Sequence, residues 1–153
     1  METFFPLEIY TSRKLSNDDL IKAFSKLFSL SSDQIMITQF IDSIPDINNI
    51  SDKKIKLLCN KDSELDGDLK EYLWVEARDQ NILSSIQNMD AKIKFISNFC
   101  HLLNCSCMMT DDDEDRDDWD PDIRLFVSSE GEISEVCLDD EKTEVGLYYI
   151  EKL

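Results

Sequence analysis

Apolar positions near the start of the chain predict a strand and then a helix. The segment 6–13 carries Leu7, Ile9 and Tyr10, and it precedes Ser16, whose side chain can cap a helix. The apolar residues of the following helix are Leu20, Ala23, Phe24, Leu27 and Phe28. Their spacing of three and four residues places them on one face, which is expected to pack against an apolar surface.

Three short segments after this helix have the composition of strands. The segment 35–41 is rich in β-branched residues and lies between polar turn residues. The segments 54–59 and 69–78 are separated by a connection dense in Asp, Asn, Ser and Gly, and we predict that they form a hairpin. In the second of them both faces are mixed, so Trp74 is interpreted either as a core residue or as part of a contact surface.

A second helix is predicted from about Asp90 to Asn104. Its apolar stripe consists of Ile93, Ile96, Phe99, Cys100 and Leu103. Asn at the end of such a stripe favours a helix stop, and the segment 105–110 then reads as a strand.

The remaining chain predicts a second hairpin, because 123–127 and 133–138 flank a turn at 129–131. The apolar piece 145–150 either adds an edge strand or ties the end of the chain to the body. The predicted order is β-α-β-β-β-α-β-β-β. It indicates an α+β fold, with two helices packed on an antiparallel or mixed β-sheet in a single domain spanning 1–153.

Composition is consistent with a cytoplasmic globular protein. The 153 residues are 42% hydrophobic and 9% aromatic, which suffices for a buried core. The apolar runs are too short to cross a membrane, and the first residues lack the pattern of a signal peptide. Five cysteines at irregular spacing do not resemble a secreted disulfide framework, so reduced thiols are expected.

The distribution of charge adds a second feature, because the excess of acidic over basic residues is concentrated in one part of the chain. Nine of the twelve residues 111–122 are acidic, and residues 111–144 hold 16 acidic against 3 basic side chains. Residues 1–110 are nearly balanced, at 16 against 12, although the whole chain has a net charge of −17. Such a field slows the approach of nucleic acid and anionic membranes and speeds encounter with a cationic protein. We therefore expect a basic protein partner, with no nucleic-acid or membrane binding.

The segment 111–122 is interpreted as a recognition loop. Trp119 among carboxylates gives an aromatic anchor with a charged rim, unless its ring folds back onto the protein's own core. The predicted partner-binding residues are Asp111, Asp112, Asp113, Glu114, Asp115, Asp117, Asp118, Trp119, Asp120 and Asp122. A loop that only confers solubility is the alternative. A calcium site is disfavoured, because Arg116 stands where an EF-hand needs Gly and Asp122 where it needs Glu.

The sequence gives little support for a metal site or for a catalytic site. Cys100, His101, Cys105 and Cys107 lack the paired spacing of a zinc motif, so core thiols are expected and no metal or cofactor is predicted. The chain has one histidine, three glycines and neither a phosphate-binding loop nor a nucleophile motif. We predict that the protein is not an enzyme.

The C-terminal third resembles small bacterial immunity proteins. The resemblance is carried by the acidic residues before Asp118-Trp119-Asp120-Pro121, the strand 123–127, the turn at 130–131 and a second strand ending in Leu138-Asp139-Asp140. Such proteins are cognate inhibitors of polymorphic toxins in contact-dependent or secreted competition systems. The resemblance implies a cytosolic protein that blocks the active site or substrate groove of a toxin domain, often a basic nuclease. It supplies no catalytic residues, so only the acidic loop and Trp119 are contact candidates.

Two other functions remain open at this level. A general nucleic-acid mimic would titrate DNA-binding or restriction proteins, but it should spread its carboxylates over an extended surface rather than one loop and hairpin. A calcium-binding adaptor would show a calcium-dependent melting shift. The oligomeric state is not determined by the sequence.

Overall fold

The fold is α+β, as predicted. A computed structural model describes residues 7–39, 47–78, 82, 84, 86, 88–110, 123–145 and 147–152. Within these residues an eight-stranded mixed sheet is covered on one face by two helices. A short helix lies near the end of the chain, and a two-stranded ribbon pairs residues 66–67 with residues 147–148.

The elements follow the predicted order with three additions. The helices are α1 (Asn17–Phe28), α2 (Met89–Leu103) and α3 (Asp140–Glu144). The strands are β1 (Leu7–Thr11), β2 (Ile35–Gln39), β3 (Leu57–Asp62), β4 (Asp66–Gly67), β5 (Glu71–Ala77), β6 (Cys107–Thr110), β7 (Arg124–Val127), β8 (Ile133–Leu138), β9 (Leu147–Tyr148) and β10 (Ile150–Lys152). The short elements β4 and α3 were not predicted, and the predicted segment 145–150 contains one short strand, β9, and the start of a second, β10.

The large sheet has the strand order β10-β8-β7-β6-β1-β5-β3-β2. Strands β2 and β3 are parallel, whereas the other neighbouring strands are antiparallel. The two predicted hairpin pairs, β3 with β5 and β7 with β8, are both confirmed. The segment 145–150, predicted either to add an edge strand or to tie the end of the chain to the body, contains β9, and the edge strand β10 begins at its last residue, Ile150.

Helix α1 begins after the predicted cap Ser16, and α2 begins near Asp90 and ends at Asn104, as the sequence predicts. The Ser16 hydroxyl accepts a hydrogen bond from the Asp19 amide at 3.1 Å, and the Asn88 side chain accepts one from the Ala91 amide at 2.9 Å. These caps satisfy amides that have no partner within the helix. Asn104 ends α2 in the left-handed conformation, with φ at 49°.

The main core lies between the two helices and the sheet. Phenylalanine rings from both helices form its centre, with centroids 5.7 Å apart for Phe24 and Phe99 and 4.8 Å apart for Phe28 and Phe95. Alternate residues of β5 face this core, which gives the strand its regular pattern of buried and partly exposed positions. Such aromatic pairs add to the stability that apolar burial provides.

The third strand begins and ends later than predicted. The sequence indicated 54–59, but residues 54 and 55 belong to a turn, closed by the Ile55 amide on Asp52 O, and Arg78 donates to carbonyl oxygens of this segment including Ile55 O at 3.0 Å. The strand continues instead through Lys61, a charged residue that the prediction placed in a loop. It remains in the sheet because Lys61 pairs with the fully buried Glu71 at 3.7 Å.

Candidate protein-binding surface

The sheet face opposite the helices carries a row of aromatic and acidic side chains. In the register of β1 and β5, Tyr10 stands opposite Tyr72 and Glu8 stands opposite Trp74. All four are partly exposed, whereas their sequence neighbours in β1 and β5 point into the main core. We refer to Glu8, Tyr10, Tyr72 and Trp74 as the aromatic strip.

Two segments of the chain cover this sheet face on either side of the strip. On one side the 47–55 segment is held by Glu76, whose Oε2 accepts a hydrogen bond from the Ile47 amide at 2.9 Å. On the other side Tyr148 packs against Tyr10, with ring centroids 5.9 Å apart. Tyr148 also belongs to a small second core with Leu69, Met108 and Val136. The strip therefore occupies the part of the face between these covers.

Glycine at position 67 allows the second cover to form. Its φ is +104°, and a Cβ there would lie 2.5 Å from the backbone oxygen of Tyr148. Because only glycine tolerates both this conformation and this approach, the β4–β9 pairing requires it. That pairing places Tyr148 beside Tyr10.

Hydrogen bonds hold the strip in a fixed arrangement. The Tyr72 hydroxyl donates to Glu8 Oε1, and the Trp74 indole Nε1–H donates to Glu76 Oε1 at 3.1 Å. The Tyr10 and Tyr72 rings are 4.7 Å apart. Side chains held in this way lose little conformational entropy when a partner binds.

Both phenols of the strip remain protonated at neutral pH. Burial, with smaller effects from the negative charges around it, raises the pKa of Tyr10 to about 12. Burial and then the hydrogen bond to Glu8 raise the pKa of Tyr72 above its ordinary value. The strip thus offers neutral hydroxyls, an indole and one carboxylate.

The strand ends that flank the acidic segment 111–122 lie next to this strip. All the partner-binding residues predicted from the sequence, at 111–122, lie outside the described residues. The ends of the strands that lead into and out of that segment are described, and Thr110 pairs with Arg124 in the β6–β7 register. Strand β6 also pairs directly with β1, where Met108 stands opposite Tyr10. The attachment points are therefore in the sheet beside the strip.

The described residues after the loop continue its negative charge. Exposed carboxylates on the β7–β8 turn, β8, α3 and β10 include Glu130, Glu135, Glu141 and Glu151. A groove of about 610 Å³ lies among these elements, with Arg124, Asp139, Glu141 and Glu151 in its wall. Its wall combines these three carboxylates and the Arg124 guanidinium with Cys137, Leu138 and Thr143.

Sequence reasoning proposed the acidic segment 111–122 as the contact region, which stays a prediction, and it missed most of the strip. Trp74 was left as either a core or a contact residue, and it is partly exposed on the outer face. Tyr72 lies on the same face of β5 as Trp74, which the alternation of that strand predicts. Glu8 and Tyr10 join them only through strand pairing, for which the sequence carries no local signal.

The cysteines are consistent with core thiols. Cys100, Cys105 and Cys107 are buried and His101 is exposed at the end of α2. Among the described residues, no cluster of three or more His, Cys, Asp or Glu side chains is arranged to hold a metal ion. Nor does any helix in this part of the chain have the length and apolar character needed to span a bilayer.

Comparison of the chain with protein-family models, with curated proteins and with solved structures finds no match.

Proposed function

We propose that the protein is an immunity-type inhibitor that binds a basic toxin domain, a nuclease being the class expected, through the acidic loop and the aromatic strip. The observation that carries this proposal is that the described residues flanking the acidic segment lie beside the strip. The attachment points Thr110 and Arg124 pair in the sheet beside the strand that carries Glu8 and Tyr10. One partner surface can therefore contact both.

The acidic residues speed the encounter with the basic partner. A local excess of 13 negative charges at 111–144 attracts a cationic surface over about 8 Å at physiological salt. Complementary charge of this kind raises association rates and discriminates against acidic partners. Single exposed ion pairs add little to the final affinity, so a second source of binding energy is needed.

The aromatic strip provides that energy. Tyr and Trp are the residues most often found at the energetic centres of protein interfaces, and here Tyr10, Tyr72 and Trp74 lie together on a rigid sheet. Their covering by a partner would bury apolar rings and retain their hydrogen bonds to Glu8 and Glu76. Release of the partner is then slow, because these contacts must break together.

Inhibition follows from the chemistry of the partner. A nuclease recognises phosphate with Lys and Arg side chains, and carboxylates presented by a folded protein occupy the same groups. The protein needs no catalytic residue for this function. It acts by stoichiometric binding, and residence in the cytoplasm would place it where such a toxin attacks nucleic acid.

The test is co-purification with the product of the neighbouring open reading frame, followed by binding kinetics. The expected result is a one-to-one complex whose association rate falls as salt rises. Trp74→Ala is the test variant, and Leu102→Ala is the matched control, because Leu102 is an exposed apolar residue on the helix side. Equal weakening by both variants would place the interface elsewhere. Weak binding to many unrelated basic proteins would favour general nucleic-acid mimicry instead.

A further inference from the structure

The end of α2 brings two thiols together. Asn104 adopts the left-handed conformation, and the Cys105 amide then donates a hydrogen bond to Cys100 O at 3.1 Å. In this type of helix end, the side chains of those two positions contact each other, usually as an apolar pair. Here both side chains carry sulfur.

A third thiol adjoins this pair. The sulfur atoms of Cys105 and Cys107 are 3.9 Å apart, and the Cys100 thiol donates to the Val127 carbonyl at 3.6 Å. All three residues are at most 3% exposed. The cluster therefore joins α2 to β6 and β7, the two strands that lead to the acidic loop.

The three thiols are not equivalent. Interaction with the neighbouring Cys100 and Cys107 thiols, and then the nearby Arg13 guanidinium, lower the pKa of Cys105 below its ordinary value. Arg13 is held in place by a hydrogen bond to the Leu103 carbonyl. Burial raises the pKa of Cys107. The surroundings thus favour one thiolate, at Cys105, with its neighbours protonated, and the thiolate is the reactive form of cysteine.

We propose that Cys105 is a site of reversible oxidation by hydrogen peroxide and forms an internal disulfide with Cys100. The Cys105 sulfur attacks one peroxide oxygen, the O–O bond breaks, and hydroxide leaves and is protonated to water. The resulting sulfenic acid is attacked by the Cys100 sulfur. The S–S bond forms as the S–O bond breaks, and the departing hydroxide takes the Cys100 proton as a second water. Two thiols and one peroxide give one disulfide and two waters.

Cys100 is the partner because the helix end already holds the two residues together. A disulfide needs Cα atoms about 4.4 to 6.8 Å apart, and the backbone hydrogen bond between Cys105 and Cys100 keeps them at close range. Cys107 is instead fixed in β6, opposite both Thr11 and Val127. Joining it to Cys105 would bend the start of that strand.

The experiment exposes the intact protein to hydrogen peroxide, alkylates the remaining thiols and maps the peptides by mass spectrometry without reduction. The expected product is a Cys100–Cys105 disulfide, with a mass lower by two hydrogen atoms, reversed by a dithiol. Cys137 is the internal control, because it is the only one of the five cysteines that is not buried. Accessibility alone predicts that Cys137 reacts first, and that result, with the other thiols intact, would overturn the proposal. A Cys105–Cys107 disulfide would overturn the assignment of Cys100.

Two variants separate reactivity from structure. Arg13→Gln should slow the loss of the Cys105 thiol several-fold and give the same disulfide, because it removes the nearby positive charge, together with the guanidinium hydrogen bond to Leu103 O, and leaves all three thiols in place. Cys100→Ser should leave the Cys105 sulfenic acid without its partner, so that a sulfenic-acid trap labels Cys105. Circular dichroism confirms that each variant is folded. An unchanged rate in Arg13→Gln, or an unlabelled Cys105 in folded Cys100→Ser, would contradict the mechanism.

Discussion

Replacing Glu71 with Ala should destabilise the protein strongly, because Glu71 is the centre of a buried polar cluster. Its Oε1 accepts the Leu15 amide at 3.0 Å, and its Oε2 accepts the Ser63 hydroxyl at 2.6 Å. Lys61 lies 3.7 Å from the same oxygen and donates to Leu15 O at 2.6 Å. The cluster joins the β1–α1 connection to β3 and β5, and the next residue of β5 is Tyr72 of the aromatic strip.

The loss of stability in Glu71→Ala can be estimated from the groups that the substitution leaves without a partner. Glu71 has no exposed surface and the Lys61 side chain is 8% exposed, so Glu71→Ala leaves a buried ammonium without its counter-charge and the Leu15 amide without its acceptor. Removing one partner of a buried ion pair costs about 3–5 kcal/mol. For a chain of this size each kcal/mol lowers Tm by about 2–4 °C, so Tm should fall by about 6–20 °C. Glu71→Gln keeps the shape and one acceptor and should cost less.

The assay is urea unfolding with linear extrapolation, supported by thermal melting. Glu130→Ala is the control, since Glu130 is exposed on the β7–β8 turn and its loss should change stability by no more than about 0.5 kcal/mol. The double variant Lys61→Met, Glu71→Leu should recover part of the loss, because it removes both charges. A cost below about 1 kcal/mol for Glu71→Ala would refute the reasoning, since it would mean that water already solvates Lys61.

Three further predictions concern the proposed interface and its support. Replacing Asp117, Asp118 and Asp120 with Asn should slow association with the partner and flatten its salt dependence, measured by stopped-flow kinetics, because steering charge is lost. Trp74→Ala should raise the dissociation rate about 30-fold, equivalent to about 2 kcal/mol, because an interface anchor is removed. Gly67→Ala should detach β9 from β4 and increase hydrogen exchange at Tyr148, because the added Cβ would meet backbone atoms.

Each of these has a matched control. Asn at Asp18, Asp33 and Asp90 removes the same charge from the exposed helical side and should leave association nearly unchanged. Leu102→Ala is the control for Trp74. Gly131→Ala is the control for Gly67, because its φ is also positive, at +88°, yet a Cβ there meets nothing within 4 Å. If a test variant and its control have equal effects, the tested residue does not have the role proposed for it.

Local sequence signals predicted most of the fold. The caps at Ser16 and Asn104 and the apolar stripes of both helices depend on residues within a few turns of each other, and the structure confirms them. The short elements β4 and β9 have only two residues each, and they form by pairing with a distant segment. The burial of Lys61 and Glu71 likewise depends on Leu15, a residue far away in the sequence. No local pattern carries such information.

The candidate surface was predictable to a smaller extent. Composition identified the acidic segment at once, because charge excess needs no knowledge of the fold. The aromatic strip requires the β1–β5 register, which brings Glu8 and Tyr10 beside Trp74 and Tyr72. Alternation in β5 grouped Tyr72 with Trp74, but both faces of that strand carry apolar residues, and the direction of the core was therefore ambiguous.

Titration of the partner's toxic activity with the purified protein tests the central claim most directly. The partner is the product of the neighbouring open reading frame, and its nuclease activity is measured at increasing ratios of the protein. The account predicts that activity falls linearly and vanishes at one-to-one stoichiometry when the partner is well above the dissociation constant of the wild-type complex. At a partner concentration between the wild-type and Trp74→Ala dissociation constants, the variant should leave more activity than the wild type at the same ratio. Full activity in the presence of excess wild-type protein would contradict it.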